Sequence, residues 1–259
     1  MGRVGEGLSV TQLFKIHNIY CMGRNNYFQF KHFLIIQEKV AMKVGTDGVL
    51  LGAWVNVQHE KKIVDIGTGT GLIALMMAQR TSAQIIGIEI EKNAAEEATH
   101  NFARSNWKNR LSVQNISFQE FAKKNNEKFD LIISNPPFFI NDQKSKHTNM
   151  AIAKHNDLLP LPDLILGCKK LISEEGKIAV ILPIVAAKKI IELACETGLF
   201  LTRLTEIFPT PQKESNRYLM EFSTKKQTLP KNTLTIFEEL NGKFSKSYKE
   251  LTKEFYLNF

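Results

Sequence analysis

Cysteine is scarce in this chain. Its 259 residues include three, Cys21, Cys168 and Cys195. They are odd in number, far apart and lack the paired spacing of a zinc site. That argues against a disulfide framework or a structural metal and for a reducing compartment. Long apolar runs are missing too, since no stretch approaches the roughly 20 residues a membrane helix needs. The first residues show no apolar core followed by small residues, so no secretory leader is expected. These absences point to a cytoplasmic protein with no metal and no membrane partner. No internal repeat or low-complexity linker divides the chain.

What is present is positive charge, thinly spread. The formal net charge is +8 and the pI about 9.3. Such a balance favours a polyanionic partner, because Lys and Arg release counterions condensed on phosphates. Solubility alone would account for the same excess. From residue 201 to the end there are 10 Lys and Arg against 7 acids, without a basic block. Charge supports a nucleic-acid partner but does not establish one.

Residues 1–25 show no clean period and read as an extension of unknown role, leaving 26–259 as one domain. Tyr27 to Gln37 begins with aromatic and polar residues in alternation and reads as a hairpin strand with one buried face. Lys43-Val44-Gly45-Thr46-Asp47-Gly48 then marks a turn, with Thr46 or Asp47 able to cap the helix that follows. On local sequence this is either a capped turn or a clamp for a small ligand.

Lys62 to Ile66 is a short apolar strand that runs into Gly67-Thr68-Gly69-Thr70-Gly71 and a helical stretch from Leu72 to Ala78. Glycines let backbone approach a ligand closely, and a helix N-terminus offers free N–H groups. Asp65 sits just before the glycines. The next strand, Gln84 to Glu89, ends in an acid suited to the two hydroxyls of a ribose. The spacing is G-x-G-x-G, not the G-x-G-x-x-G of dinucleotide folds. It resembles motif I of the S-adenosylmethionine-dependent methyltransferases. A helix spans about Glu91 to Ser105 and a third strand runs from Asn109 to Gln114. After it, Asn115 or Ser117 stands where many of these enzymes carry an Asp for the adenine of the cofactor.

A fourth strand, Phe129 to Ser134, ends in Asn135-Pro136-Pro137-Phe138-Phe139. The prolines cannot continue a sheet ladder and hold Asn135 extended at the strand tip. A carboxamide offers one acceptor and two donors. It can hold an exocyclic amine while Phe138 gives a base a face to stack on. Residues 140–159 read as a polar loop or short helix, where His147 and His155 are surface groups, acid/base groups or phosphate contacts. Further on come a helix from Leu161 to Leu171, a turn at Glu174-Glu175-Gly176 and a strand from Lys177 to Pro183. A helix from Ala186 to Thr197 and strands at Phe200–Phe208 and Arg217–Phe222 follow, then an edge strand at Leu234–Glu239 and a final helix from Ser247 to Phe255. The expected fold is α/β, a doubly wound, mostly parallel seven-stranded sheet of class I methyltransferase type, with a small N-terminal hairpin and a C-terminal extension.

Asn-Pro-Pro-Phe is motif IV of the amino-methyltransferases, and the block from Gly45 to Trp54 is similar to that of the bacterial tRNA (adenine N6) methyltransferases acting beside the anticodon of a valine tRNA. The resemblance runs from about Phe28 to the C-terminus. It implies an enzyme that methylates adenosine 37 in an anticodon loop with S-adenosylmethionine as donor; a monomer is expected, although nothing in the sequence fixes the oligomeric state. It implies catalytic roles for Asn135, Pro136, Pro137 and Phe138, and cofactor contacts from Gly45, Thr46, Asp47, Asp65, Gly67, Gly69, Gly71, Glu89, Ser117 and Asn135. It also turns the Gly45–Gly48 segment from a capped turn into a wall over the methionine end of the cofactor. Ribosomal RNA guanine-N2 and protein glutamine-N5 methyltransferases share the fold and a similar motif IV. A cofactor-type fold that only binds RNA is the non-enzyme alternative. The role of Lys213 and Arg217, toward phosphates or solvent, stays open at this level.

Overall fold

The central strands carry apolar side chains on both faces, so both faces of their sheet must be covered. The computed structural model describes residues 25–40, 42–136, 159–239 and 242–259. Nearly all of the N-terminal extension, Pro137, Phe138, and the stretch with His147 and His155 lie outside these residues.

Strands β1 (Tyr27–Gln29) and β2 (Leu34–Ile36) form an antiparallel hairpin. Helix α1 (Thr46–Trp54), β3 (Lys62–Ile66), α2 (Leu72–Arg80), β4 (Gln84–Glu89) and α3 (Lys92–Ala103) follow. Then come β5 (Leu111–Asn115), α4 (Phe118–Lys124), β6 (Phe129–Ser134), α5 (Leu161–Leu171), β7 (Ile172–Pro183) and α6 (Ile184–Glu196). The chain ends in β8 (Phe200–Phe208), β9 (Arg217–Ser223), β10 (Lys231–Thr235) and α7 (Lys246–Thr252). The eight-stranded sheet has the order β10-β8-β9-β7-β6-β3-β4-β5. Neighbours from β5 to β7 are parallel, β9 lies antiparallel between β7 and β8, and β10 pairs parallel with β8.

The two cores follow the pleat, because successive strand residues point to opposite faces. Ile63, Leu131, Ile133, Ala179 and Ile181 face α1, α2 and α7. Val64, Ile132, Ile178, Val180 and Met220 face α4, α5 and α6. Two helices of the first layer meet closely: a Cβ at Gly52 of α1 would stand 2.6 Å from Met76 Sδ of α2. Trp54 anchors the far end of α1, its indole N–H donating to Thr205 Oγ1 of β8 at 2.9 Å while Arg203 lies over its ring at 4.0 Å.

The expected N-terminal hairpin is present, with both of its strands inside the Tyr27–Gln37 stretch, closed where Phe30 N donates to Phe33 O. Two expectations need correction. Glu174–Gly176 is no separate turn but part of β7, where the ladder slips: Phe129 faces Ile172, Leu131 faces Lys177, and Ser173 to Gly176 all stand opposite Asp130. The last strand lies earlier than Leu234–Glu239. It is β10, whose polar residues Lys231 to Thr233 are exposed because it forms the sheet edge.

Candidate active site

The carboxyl ends of β3, β4 and β6 open on one side of the sheet. There the described residues enclose a cavity of about 740 Å³. Ligands in open α/β sheets bind at such a crevice, where the strand order reverses, and here the reversal falls between β3 and β6.

The glycine turn forms the floor. Gly67, Gly69 and Gly71 have φ of 69°, 56° and 84°, the left-handed region that side chains resist. A Cβ at Gly67 or Gly69 would meet nothing within 4 Å, so the turn keeps open space above it. Gly71 serves packing instead. A Cβ there would come within 2.4 Å of the Phe102 ring, and Gly71 does not line the cavity.

Asp65 is fully buried beneath the turn and does not reach the cavity wall. Its Oδ2 accepts from Thr68 Oγ1 at 2.7 Å and Ala74 N at 3.2 Å, fixing the turn to the start of α2. Its Oδ1 is buried without a partner among the described residues. Burial pushes its pKa up to about 7; the bonds from Thr68 and Ala74 oppose the rise, and the nearby Glu89 charge adds to it. Glu89, at the end of β4, lines the cavity and accepts from Gly69 N and Glu91 N, each at 2.9 Å. Ser117 also lines the cavity, and its hydroxyl caps α4 by accepting from Glu120 N. Asn115 does not reach the cavity. Its amide donates to the Glu89 and Ile90 carbonyls.

The opposite wall is the head of α1. Neither Thr46 nor Asp47 caps this helix, as the local sequence had suggested. The N-cap is Gly45, in extended conformation and with no side-chain bond, so Thr46 and Asp47 occupy the first turn. Gly45, Thr46, Asp47 and Gly48 all line the cavity. Asn135 and Pro136 lie beside them at the tip of β6, and a Cβ at Gly48 would stand 3.8 Å from Asn135 Nδ2. Ser134 closes the layer below by donating to Ile66 O at 2.8 Å.

Two further groups belong to the site, one left open by the sequence and one not singled out from it. Arg217, the first, stands at the start of β9, lines the cavity and donates from Nε to Asp47 Oδ2 at 3.0 Å. The second group holds a strap along the rim, residues 36–40 and 42–45 among those described. Glu97 Oε1 accepts from Glu38 N and Lys39 N, both at 2.7 Å. Asn101 accepts from Ile36 N and donates to both Ile36 O and Thr70 O, each at 2.9 Å. One buried carboxamide thus ties the strap to the glycine turn. Gln37, equally buried, accepts from Val44 N at 2.8 Å.

Among the described residues no group of three His, Cys, Asp or Glu side chains could hold a metal ion. No helix among them is long and apolar enough to cross a membrane.

Comparison with known proteins agrees with this geometry. Residues 42–160 match the methyltransferase small domain family. A tRNA1(Val) (adenine(37)-N6)-methyltransferase of Trichodesmium erythraeum is 46% identical over 237 residues, covering 90% of this chain and 99% of the relative. One from Parabacteroides distasonis is 42% identical over 233 residues, covering 90% and 98%. The crystal structure of a predicted O-methyltransferase, protein Atu636 from Agrobacterium tumefaciens, superposes with a TM-score of 0.62. It is 20% identical and covers 81% of this chain and 96% of that one, which supports the fold alone. With identity this high over nearly the whole chain, and a glycine turn and an Asn-Pro strand tip facing one cavity of a class I methyltransferase fold, the chain is a methyltransferase and belongs to the tRNA1(Val) (adenine(37)-N6)-methyltransferase family.

Proposed function

We propose that this protein transfers a methyl group from S-adenosylmethionine to N6 of an adenine in tRNA, at adenosine 37 of a valine tRNA, and works as a cytoplasmic monomer. The observation that carries the reading is that Asn135 and the open glycine turn face the same cavity from neighbouring strands. The names of relatives 42–46% identical over nine-tenths of the chain support the choice of base and RNA.

The cavity fits the cofactor on its own terms. Gly67 and Gly69 leave room for a ligand to lie on the backbone, and Glu89 presents a carboxylate at the rim for ribose hydroxyls. In this reading Gly45, Thr46 and Asp47 hold the methionine end and Ser117 borders the adenine. Bound there, S-adenosylmethionine supplies an electrophilic methyl group on a sulfonium. Asp65 and Gly71, which do not line the cavity, act from beneath by shaping the turn.

The residues at β6 prepare the nucleophile. The Asn135 carboxamide oxygen and the Pro136 main-chain carbonyl accept the two hydrogens of an exocyclic –NH₂. That localises the nitrogen lone pair, which conjugation with the ring otherwise spreads. The methylated nitrogen then releases its proton to water, so no strong base is needed and the chain contributes mainly positioning. Asp65, despite a pKa near 7, is walled off from the cavity and is not that base. Pro137 and Phe138, which lie outside the described residues, would complete the clamp. The base must leave its stack to enter, which an anticodon loop permits. Residues 26–259 form the methyltransferase domain in this proposal, with 1–25 as an extension.

Mass spectrometry of digested tRNA from a deletion strain tests the reading. Loss of N6-methyladenosine at one position of one tRNA is expected. Unchanged tRNA with a missing guanine-N2 methyl group in ribosomal RNA, or a missing glutamine methyl group in protein, would overturn it.

A further inference from the structure

The cavity extends further across the sheet than the cofactor reading uses. Its lining begins at Ser117 after β5, passes Glu89 on β4, crosses the ends of β3 and β6, and continues over Ile181 and Pro183 of β7 to Arg217 on β9. Cofactor contacts account for the β5–β4–β3–β6 part. The β7–β9 part, floored by an apolar Ile and Pro, suits the acceptor, and Arg217 stands at its far end.

Register places Arg217 relative to the reacting group. Ser134 of β6 pairs with Val180 of β7, and Pro183 of β7 pairs with Arg217. Arg217 is therefore two strands from the Asn135 strand, on the order of 10 Å across at the usual strand spacing. A second path agrees. The guanidinium bonds Asp47, and the next residue, Gly48, lies against Asn135. Carboxamide and guanidinium thus flank the same turn of α1, with room between them for the sugar side of a nucleotide whose base amine sits at Asn135.

The guanidinium is suited to an anion at that place. Nε serves Asp47 and Nη1 donates to Asn216 O at 3.0 Å, while Nη2 has no hydrogen-bond partner among the described residues. Asp47 fixes the plane of the group, and its own charge rests on the positive end of α1, which moderates repulsion toward an incoming phosphate. Arg is the side chain whose donor fork matches phosphate oxygens.

Resting on the function proposed above, we infer that Arg217 binds the RNA phosphate adjoining the target nucleotide and so positions the base at Asn135. It is a substrate-positioning residue on a β-strand, supplied by the C-terminal third of the chain.

The test uses the full-length protein, an in vitro tRNA transcript and S-adenosylhomocysteine. In Arg217→Gln, tRNA affinity and KM are expected to worsen about tenfold. The slope of log Kd against log salt should flatten by about one, as for loss of one phosphate contact. Affinity for S-adenosylhomocysteine, measured by calorimetry, should stay within about twofold, since Arg217 itself makes no cofactor contact in this reading and Asp47 keeps its place in the first turn of α1. Arg217→Lys should recover part of the tRNA affinity and most of the salt slope, because it keeps the charge and loses the fork. A transcript with guanine in place of the target adenine should lose affinity in Arg217→Gln to the same degree, as a backbone contact requires.

An unchanged salt slope would overturn the inference. So would a fall in S-adenosylhomocysteine affinity matching that for tRNA, which would make Arg217 a prop for Asp47 and α1. A loss confined to the adenine transcript would overturn it as well, assigning Arg217 to the base edge. Methylation of tRNA by the wild-type protein is scored separately: its absence defeats the functional reading, whereas wild-type turnover with an unaffected Arg217→Gln defeats this inference alone.

Discussion

The two halves of the cavity are built differently. The cofactor half is largely backbone, with Glu89 and Ser117 at its rim, and is held by buried side chains that never enter it: Asp65 under the glycine turn, and Glu97 and Asn101 behind the strap. The acceptor half rests on a few side chains that face the cavity themselves, with Asn135 and Arg217 partly exposed and Asp47 bridging the two halves. The first arrangement is preorganised for one small ligand, because each of its donors and acceptors is fixed before binding. The second leaves its polar groups available to a macromolecule and is complete only when one arrives.

If that contrast is right, changes in the two halves should separate affinity from turnover. The largest effect is expected for Asn135→Ala. Methyl transfer should fall by roughly 10²–10⁴-fold, the range for losing a positioned hydrogen-bonding group in the reaction. Cofactor affinity by calorimetry should change less than about threefold. Equal losses in both would erase the boundary between the halves.

Next comes Asp65, whose effect is on stability and pH. Its pKa rises from the ordinary 3.8 to about 7 in the folded protein. Between those values the folded state holds the extra proton. Its stabilising contribution is therefore full below about pH 4 and is lost as pH rises through 7, the reverse of a salt-bridged carboxylate. The span corresponds to roughly 4 kcal/mol as an upper limit. Urea unfolding of the ligand-free protein from pH 4 to 8, with Asp65→Asn subtracted, should show that decline. A flat difference curve would mean that Asp65 is ionised in the fold at no cost.

The same contrast explains what the sequence disclosed. The glycine turn, Glu89 and the Asn135 strand tip were legible because their chemistry is local: backbone freedom, a strand end and a proline stop, each within a few residues. The doubly wound, mostly parallel sheet was legible because β3, β6 and β7 read as apolar runs covered on both faces. Asp65 was legible as an acid near the glycines but not as a buried one, because one step of the pleat decides whether a strand-end side chain faces the ligand or the core. Arg217 stayed open because its partner Asp47 is 170 residues away. Glu97 and Asn101 drew no notice, being polar residues on a helix, yet they are 4% and 1% exposed. Only the fold brings the strap over them.

Glu89→Ala sharpens the comparison from the cofactor side. It removes the acceptor for Gly69 N and Glu91 N together with the rim carboxylate. Hydrogen bonds to charged groups are worth about 1.5–3 kcal/mol each, so cofactor affinity should drop about 10- to 100-fold while tRNA affinity stays the same. Calorimetry with S-adenosylhomocysteine and filter binding with tRNA read the two separately. A parallel drop in tRNA binding would place the RNA on the cofactor half.

The smallest effect on function is expected at Asn101, which touches neither ligand. Its carboxamide holds Ile36 at both N–H and C=O and also the Thr70 carbonyl of the glycine turn. In Asn101→Ala those three backbone groups lose their partner, and water must enter or the strap must move. Net hydrogen-bond contributions of about 1 kcal/mol each predict a loss of stability of a few kcal/mol at most. Because the strap lies along the cofactor rim, some of that loss should reappear as weaker cofactor binding, about fivefold. Saturating cofactor should recover part of the lost stability, since binding pulls the equilibrium toward the ordered strap. The turnover rate at saturating cofactor and tRNA should remain near wild type, because Asn135, Asp47 and Arg217 belong to other elements. If stability falls while cofactor affinity is unchanged, the strap is only packing, and the preorganisation of the cofactor half resides in the glycine turn alone.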